Sequence, residues 1–494
     1  MKKILLILAF LAVASFQVSA ASSSSLTDAT HIISEDLREL RPDRGKSRIP
    51  KISMSQFELS SERRTVRRTV GQSEKFWTKD FRDGKYYQID AKLAVDGKYC
   101  LVYIEEGREV ASETARKIAD AFDSNIYARM TDIFGNEAKP GIDGEDKVFL
   151  LMYDIKDGFQ KSGDGYYAGY FFSGDMMKQS EFQSFSKVHS NEKEMLHLDL
   201  WPSDISREDY LSVLAHEFQH LIHFSYDSEE TSWVNEGCSQ IAAWFCGYGI
   251  PEHVADYQKK PDRSLNYWPN YDPYANYGQS FLWNLFIDRK CLKTPEMRRK
   301  FFNTIISSKH HDINGYEEAL KMTGKSFSEV FSEFCATNYL NTPDFDNGKF
   351  FYGPDLSNFR HEITKVIDVV PSEYKNSVNV WAGNAVRISP EVIKDRIKIE
   401  FSGYKRSLKI VTDNSYFVMV FLKYADSANN KHYFVPLYQD PGDKVHINSV
   451  FEIAREKDLK DILLIIQAIA PENVDHAKYA GVPGLPYSLK FSEL

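Results

Sequence analysis

Cysteine is scarce in this chain, with five in 494 residues. That is too few for a small disulfide scaffold, and the odd number allows two bridges at most, whose pairing the sequence does not give. A basic excess is also missing: 61 Lys and Arg face 70 Asp and Glu, for a net charge of −9. The charge balance excludes a protein that tracks nucleic acid electrostatically. Beyond the N-terminus no apolar run is long enough to span a bilayer, and the best, Ile462 to Ala470, is interrupted by Gln467 and reads as a buried strand. There is no internal repeat. What is present, 43% hydrophobic and 27% charged residues, fits folded domains and excludes a disordered or collagen-like chain. The length suggests two or three such domains.

The N-terminus, MKKILLILAFLAVASFQVSA, joins Lys2 and Lys3 to the apolar segment Ile4 to Phe16 and the small-residue site Val18-Ser19-Ala20. This pattern predicts a signal peptide over 1–20 and an exported protein, secreted, periplasmic or at the cell surface. Residues 21–75 carry a charge of +3 and residues 76–494 one of −14. Poor apolar periodicity, with Arg pairs at 63–64 and 67–68, predicts a flexible leader or propeptide that the mature fold does not need. The expected body spans 76–350. It contains strands either side of Asp96-Gly97, a helix from Ser112 to Phe134 stopped by Gly135, strands at 147–154 and 194–202, a helix at 207–225 and a mainly helical stretch over 236–340. Ser326 and Glu329 form a capping-box pattern. From about 360 to 494, short β-rich runs separated by Gly, Pro, Asn and Asp predict a self-standing β-sandwich away from any cleft.

One segment carries chemistry. In LSVLAHEFQHLIHF (211–224), Leu211, Leu214, Ala215, Phe218, Leu221 and Ile222 form a helical stripe, and His216 and His220 stand one turn apart on one face. Two such imidazoles can hold one zinc ion, and Glu217 lies beside them as a candidate base. A catalytic zinc needs a third protein ligand. Glu236, within SWVNEGCSQIAAW and sixteen residues past His220, is the favoured candidate, with His223 as the alternative. The longer pattern with a Gly and a third His is absent, because those positions hold His223 and Tyr226.

HEFQHLIHF followed by WVNEG resembles the gluzincin metallopeptidases, most closely the hyicolysin family of secreted bacterial peptidases, over roughly residues 75–345. The resemblance implies an α+β, zincin-like domain with a mixed-sheet N-lobe, an active-site helix and a helical C-lobe, here followed by the β-sandwich. It implies His216, His220 and Glu236 as zinc ligands, Glu217 as catalytic base, and protein or peptide substrates. The G-x-M-E-N signature of gluzincin aminopeptidases is missing, which favours cleavage within chains. It also implies that the strand at 194–202 lines the cleft and pairs with extended substrate, with His197 as a residue that touches substrate or else lies at the surface.

An oxyanion donor is required as well, and Tyr274 and Tyr277 stand just before a helix, with Tyr277 preferred. Asp154, Asp157, Gly158 and Asp164 offer a calcium-type loop without EF-hand spacing, so calcium competes there with a plain Asp/Gly turn. Two functions follow: a secreted zinc endopeptidase, and an exported binding protein or adhesin that keeps the fold without turnover.

Overall fold

The computed structural model describes residues 26–30, 33, 68–161, 164–182, 187–269, 272–404, 415–439, 441–443, 445–470 and 484–494. The signal-peptide segment and the Arg63-Arg64 pair lie outside them. The architecture is α+β. Its first sheet contains β1 (Leu26–Asp28), β2 (Ser73–Asp80), β3 (Lys85–Asp96), β4 (Cys100–Glu105), β5 (Val148–Tyr153), β6 (Tyr166–Tyr170) and β7 (Met195–Asp199), in the spatial order β1-β6-β7-β5-β4-β3-β2. β4, β5 and β7 are parallel, while β6 runs antiparallel to β7. VFLLMY in β5 is buried throughout, as a parallel strand covered on both faces must be. Alternate residues divide the faces: Val148, Leu150 and Met152 meet the helices, and Phe149, Leu151 and Tyr153 meet Phe76, Ala29 and Ile33. The Asp96-Gly97 turn closes β3 onto β4 and is held from outside by Asp123, which accepts from the amides of Lys98 and Tyr99 at 2.5 and 2.8 Å.

The helix expected over 112–134 is interrupted. α1 (Ser112–Ala121) passes through a π-turn at Phe122–Ile126 into α2 (Tyr127–Ile133), and Gly135 ends it at φ +105°. Then come α3 (Glu208–Tyr226), α4 (Ser232–Phe245), α5 (His253–Lys259), α6 (Tyr274–Lys290), α7 (Pro295–Ser307), α8 (Ile313–Leu320) and α9 (Phe327–Leu340). The capping box opens α9, with Ser326 Oγ accepting from Glu329 N and the Glu329 carboxylate from Ser326 N. Among the described residues no helix is long and apolar enough to cross a membrane.

The C-terminal strands are β8 (Lys365–Ile367), β9 (Ser372–Val378), β10 (Ala382–Ile388), β11 (Arg396–Tyr404), β12 (Ser415–Tyr424), β13 (Lys431–Phe434), β14 (His446–Ala454), β15 (Leu459–Ile469) and β16 (Leu485–Glu493). They form a five-stranded sheet, β13-β12-β15-β10-β8, and a four-stranded one, β14-β11-β16-β9. Inward residues of both, such as Ile399, Phe401, Val420, Leu464 and Leu489, enter one core.

Three expectations need correction. The leader boundary at 75 cuts through β2, and Arg68 is already part of the body. Its guanidinium is buried between Glu74 (3.1 Å), Glu145 (2.9 Å) and Asp143 (3.3 Å), so it is not an open processing site. The described part of the leader is not loose either: β1 pairs in parallel with β6, and Ala29 and Ile33 are buried. Finally, the sandwich does not stand apart. Trp381 packs edge-on against Phe327 and Phe331 of α9, Tyr339 donates to Gly383 O at 2.6 Å, and the apolar core runs from the metal-helix region into both C-terminal sheets without a break. Trp381→Ala should therefore destabilise the whole chain by about 3–5 kcal/mol, seen in urea denaturation as one earlier transition in both helical and β signals. Two separate transitions, with only the β signal moved, would mean that the sandwich folds as its own unit.

Candidate metal centre and cleft

α3 runs beneath β6 and carries two imidazoles on the face that meets α4. His216 Nε2 and His220 Nε2 are 3.0 Å apart, and Glu236 Oε2 from α4 lies 3.2 Å from the first and 3.3 Å from the second. All three side chains are buried. A tetrahedral zinc with bonds of about 2.0–2.1 Å sets its ligand atoms about 3.3 Å apart, so the residues fit a zinc ion. The His220 tautomer is fixed from behind: its Nδ1 donates to Asn235 Oδ1 at 2.7 Å, with Ser239 Oγ 3.1 Å away, which leaves the Nε2 lone pair for a metal. Ser239 is itself tied to Gln219 Oε1 at 2.5 Å. The local sequence explains the approach of the helices. A Cβ at Gly237 would stand 2.8 Å from Asn284 Nδ2 and 3.0 Å from Ser280 Cβ, so the glycine after Glu236 lets α4 lie close on α6.

Glu217 is fully buried beside the three ligand atoms. Its Oε2 accepts a hydrogen bond from Thr30 Oγ1 at 2.9 Å, and the same oxygen of Thr30 accepts from Phe171 N at 2.9 Å. The leader segment is thus anchored to both the sheet edge and the candidate base. Above the site is a cavity of 280 Å³, lined among others by Ala168, His216, Glu217, Gln240, His253 and Tyr277. The Tyr277 ring centre is 6.5 Å from that of His216 and 5.3 Å from that of His253. Tyr274 does not line the cavity, and stacks on His253 with ring centres 5.5 Å apart. His253 was not singled out from the sequence. Its only signal is Asp256 three residues on, whose Oδ2 is 3.4 Å from His253 Nδ1. Gly278 brings it in, since a Cβ there would stand 2.1 Å from His253 O.

Other candidates fall elsewhere. β7 is not a cleft strand, because β5 and β6 occupy both its edges. His197 neither touches the cavity nor reaches the surface. It is buried, bonded to Asp175 Oδ2 at 2.8 Å and stacked on Tyr170. Asp199 is also interior, accepting from Ile155 N and Ser203, with its carboxyl pushed up to about 7 by burial. The calcium-type loop is a turn: Asp157 accepts from the amides of Phe159 and Tyr167, Asp164 from those of Gln160 and Lys161, and Asp154 pairs with Arg108. Among the described residues these acids form no metal-ligand cluster. His223 is not with the three converging ligands but belongs to a second group, with Asp227 and Glu230. All five cysteines are buried and free, and burial, followed by the charge of Glu230, raises the Cys238 thiol.

No family model matches the chain. The neutral metalloprotease ShpI of Staphylococcus hyicus is 27% identical over 223 residues, which cover 42% of this chain and 46% of that protein. The chain thus spans less than half the length of this relative, and the likeness is a distant one to a metallopeptidase.

Proposed function

We propose that this chain is an exported zinc-dependent endopeptidase of zincin-like, hyicolysin-related type. The observation that carries this reading is the convergence of His216, His220 and Glu236 beneath a cavity with Glu217 at its edge. The metalloprotease relative supports it. His216, His220 and Glu236 would hold the zinc, which when bound supplies a Lewis acid that acidifies water and polarises a carbonyl oxygen. Glu217 takes the proton from the attacking water and delivers it to the leaving amine. Tyr277 and His253, both on the cavity wall, donate hydrogen bonds to the developing oxyanion, with Asp256 orienting His253. Extended substrate lies along β6, the sheet strand beside the cavity, in the place β1 holds in this structure. The strand at 26–28 and the residues anchored beside it must therefore leave before a peptide enters, which makes the segment ahead of Arg68 a latency segment and the mature enzyme the chain from Arg68 onward.

Three measurements test this. Glu217→Gln should retain its metal and fold while losing peptide hydrolysis by about 10²–10⁴-fold. A wild type that cleaves neither casein nor a quenched peptide would return the chain to the binding-protein reading. Tyr277→Phe should lower kcat by about 10²-fold with KM little changed, and an unaltered kcat would assign the oxyanion to His253 alone. Brief trypsin digestion of the full chain should remove the leader and raise hydrolysis by about tenfold or more. An unchanged rate after complete loss of residues 26–33 would remove the latency role.

A further inference from the structure

Three residues beyond His220, α3 carries another imidazole. His223 is wholly buried, and neither of its ring nitrogens has a hydrogen-bond partner among the described residues. Buried polar groups are almost always paired, and two orphans on one ring call for something that fills their place. Asp227, the residue capping α3, and Glu230, in the loop to α4, face it: one ligand atom from each of the three lies within 4.8 Å of the other two. Glu230 is divided in its duties. Its Oε1 accepts from Thr231 N at 2.5 Å, Thr231 Oγ1 at 2.8 Å and Asp312 N at 2.9 Å, whereas its buried Oε2 has no partner. Asp227 Oδ1 is held by Glu229 N at 2.9 Å, and His311 Nε2 stands 3.2 Å from Oδ2. Burial keeps the His223 ring neutral, with its pKa pushed down to about 4, and drives the Glu230 carboxyl upward. A neutral imidazole is the form a metal accepts, and a cation would restore the carboxylate.

We propose that His223, Asp227 and Glu230 bind a second divalent ion, of the transition-metal class that accepts imidazole, with zinc the foremost member. An all-oxygen cage would suit calcium or magnesium, and a site with a buried imidazole does not. His311 holds Asp227 from outside the ligand set. The site is structural, because its three residues come from the last turn of α3, its cap and the loop into α4. The ion clamps the turn between the helix bearing His216 and His220 and the helix bearing Glu236. This inference does not depend on the endopeptidase reading.

The test is metal content of the full chain after equilibration with zinc and desalting, with folding checked by circular dichroism. Wild type should hold about two zinc ions, and both His216→Ala/His220→Ala and His223→Asn about one. The thermal midpoint of the His216→Ala/His220→Ala variant should still rise when zinc is added. A folded double variant that holds no zinc and whose midpoint ignores zinc overturns the proposal, as does His223→Asn with wild-type content. If His223→Asn fails to fold, the zinc response of the double variant decides alone. Equal zinc in wild type and the double variant would instead sink the catalytic-site reading and leave the second site standing.

Discussion

Three lone pairs pointing at one another, within 3.0–3.3 Å and away from water, form an arrangement that repels itself. It persists only where the frame is rigid and where positive charge is due between the ligands. Most of the surrounding structure answers to that constraint. Asn235 and Ser239 fix one ring, Gly237 and Gly278 let three helices press together, and in the turn between α3 and α4 the buried Glu230 accepts from Thr231 and from Asp312 N. The sandwich contributes as well. Leu265 N donates to Trp381 O and Ser264 Oγ to Val380 O, so the loop ahead of α6, from which Trp268 packs on Tyr277, is held by the C-terminal strands. The cavity wall thereby draws on residues more than a hundred positions away.

What could be read from the sequence was local. The two histidines are one helical turn apart and the glutamate opens the next helix, so spacing alone brings them near. The burial of β5 and the capping box of α9 follow from short-range patterns too. What escaped depends on who neighbours whom. His197 and Asp199 alternate with leucines as surface residues would, yet β7 is interior and both faces are covered, so His197 pairs through Nε2 with Asp175 and Asp199 accepts from a backbone amide and Ser203. His253 is separated from Glu217 by 36 residues and an intervening helix, α4, and is brought to the cavity by the close contact at Gly278. The pairing of β1 with β6 crosses about 140 residues, and no periodicity in a three-residue strand could announce it.

That short pairing has a consequence of scale. A three-residue strand with a hydroxyl on Glu217 is a weak contact, one that a free peptide of the same sequence would hold only at high concentration. Tethered to the same chain, the segment is present at an effective concentration of about millimolar, and its contacts need no great strength to keep the cleft covered. In the proposed latency role the tether, and not the fit, sets the latency: one cut between residues 33 and 68 changes no atom of the contact, yet the segment can diffuse away into a volume in which it does not rebind.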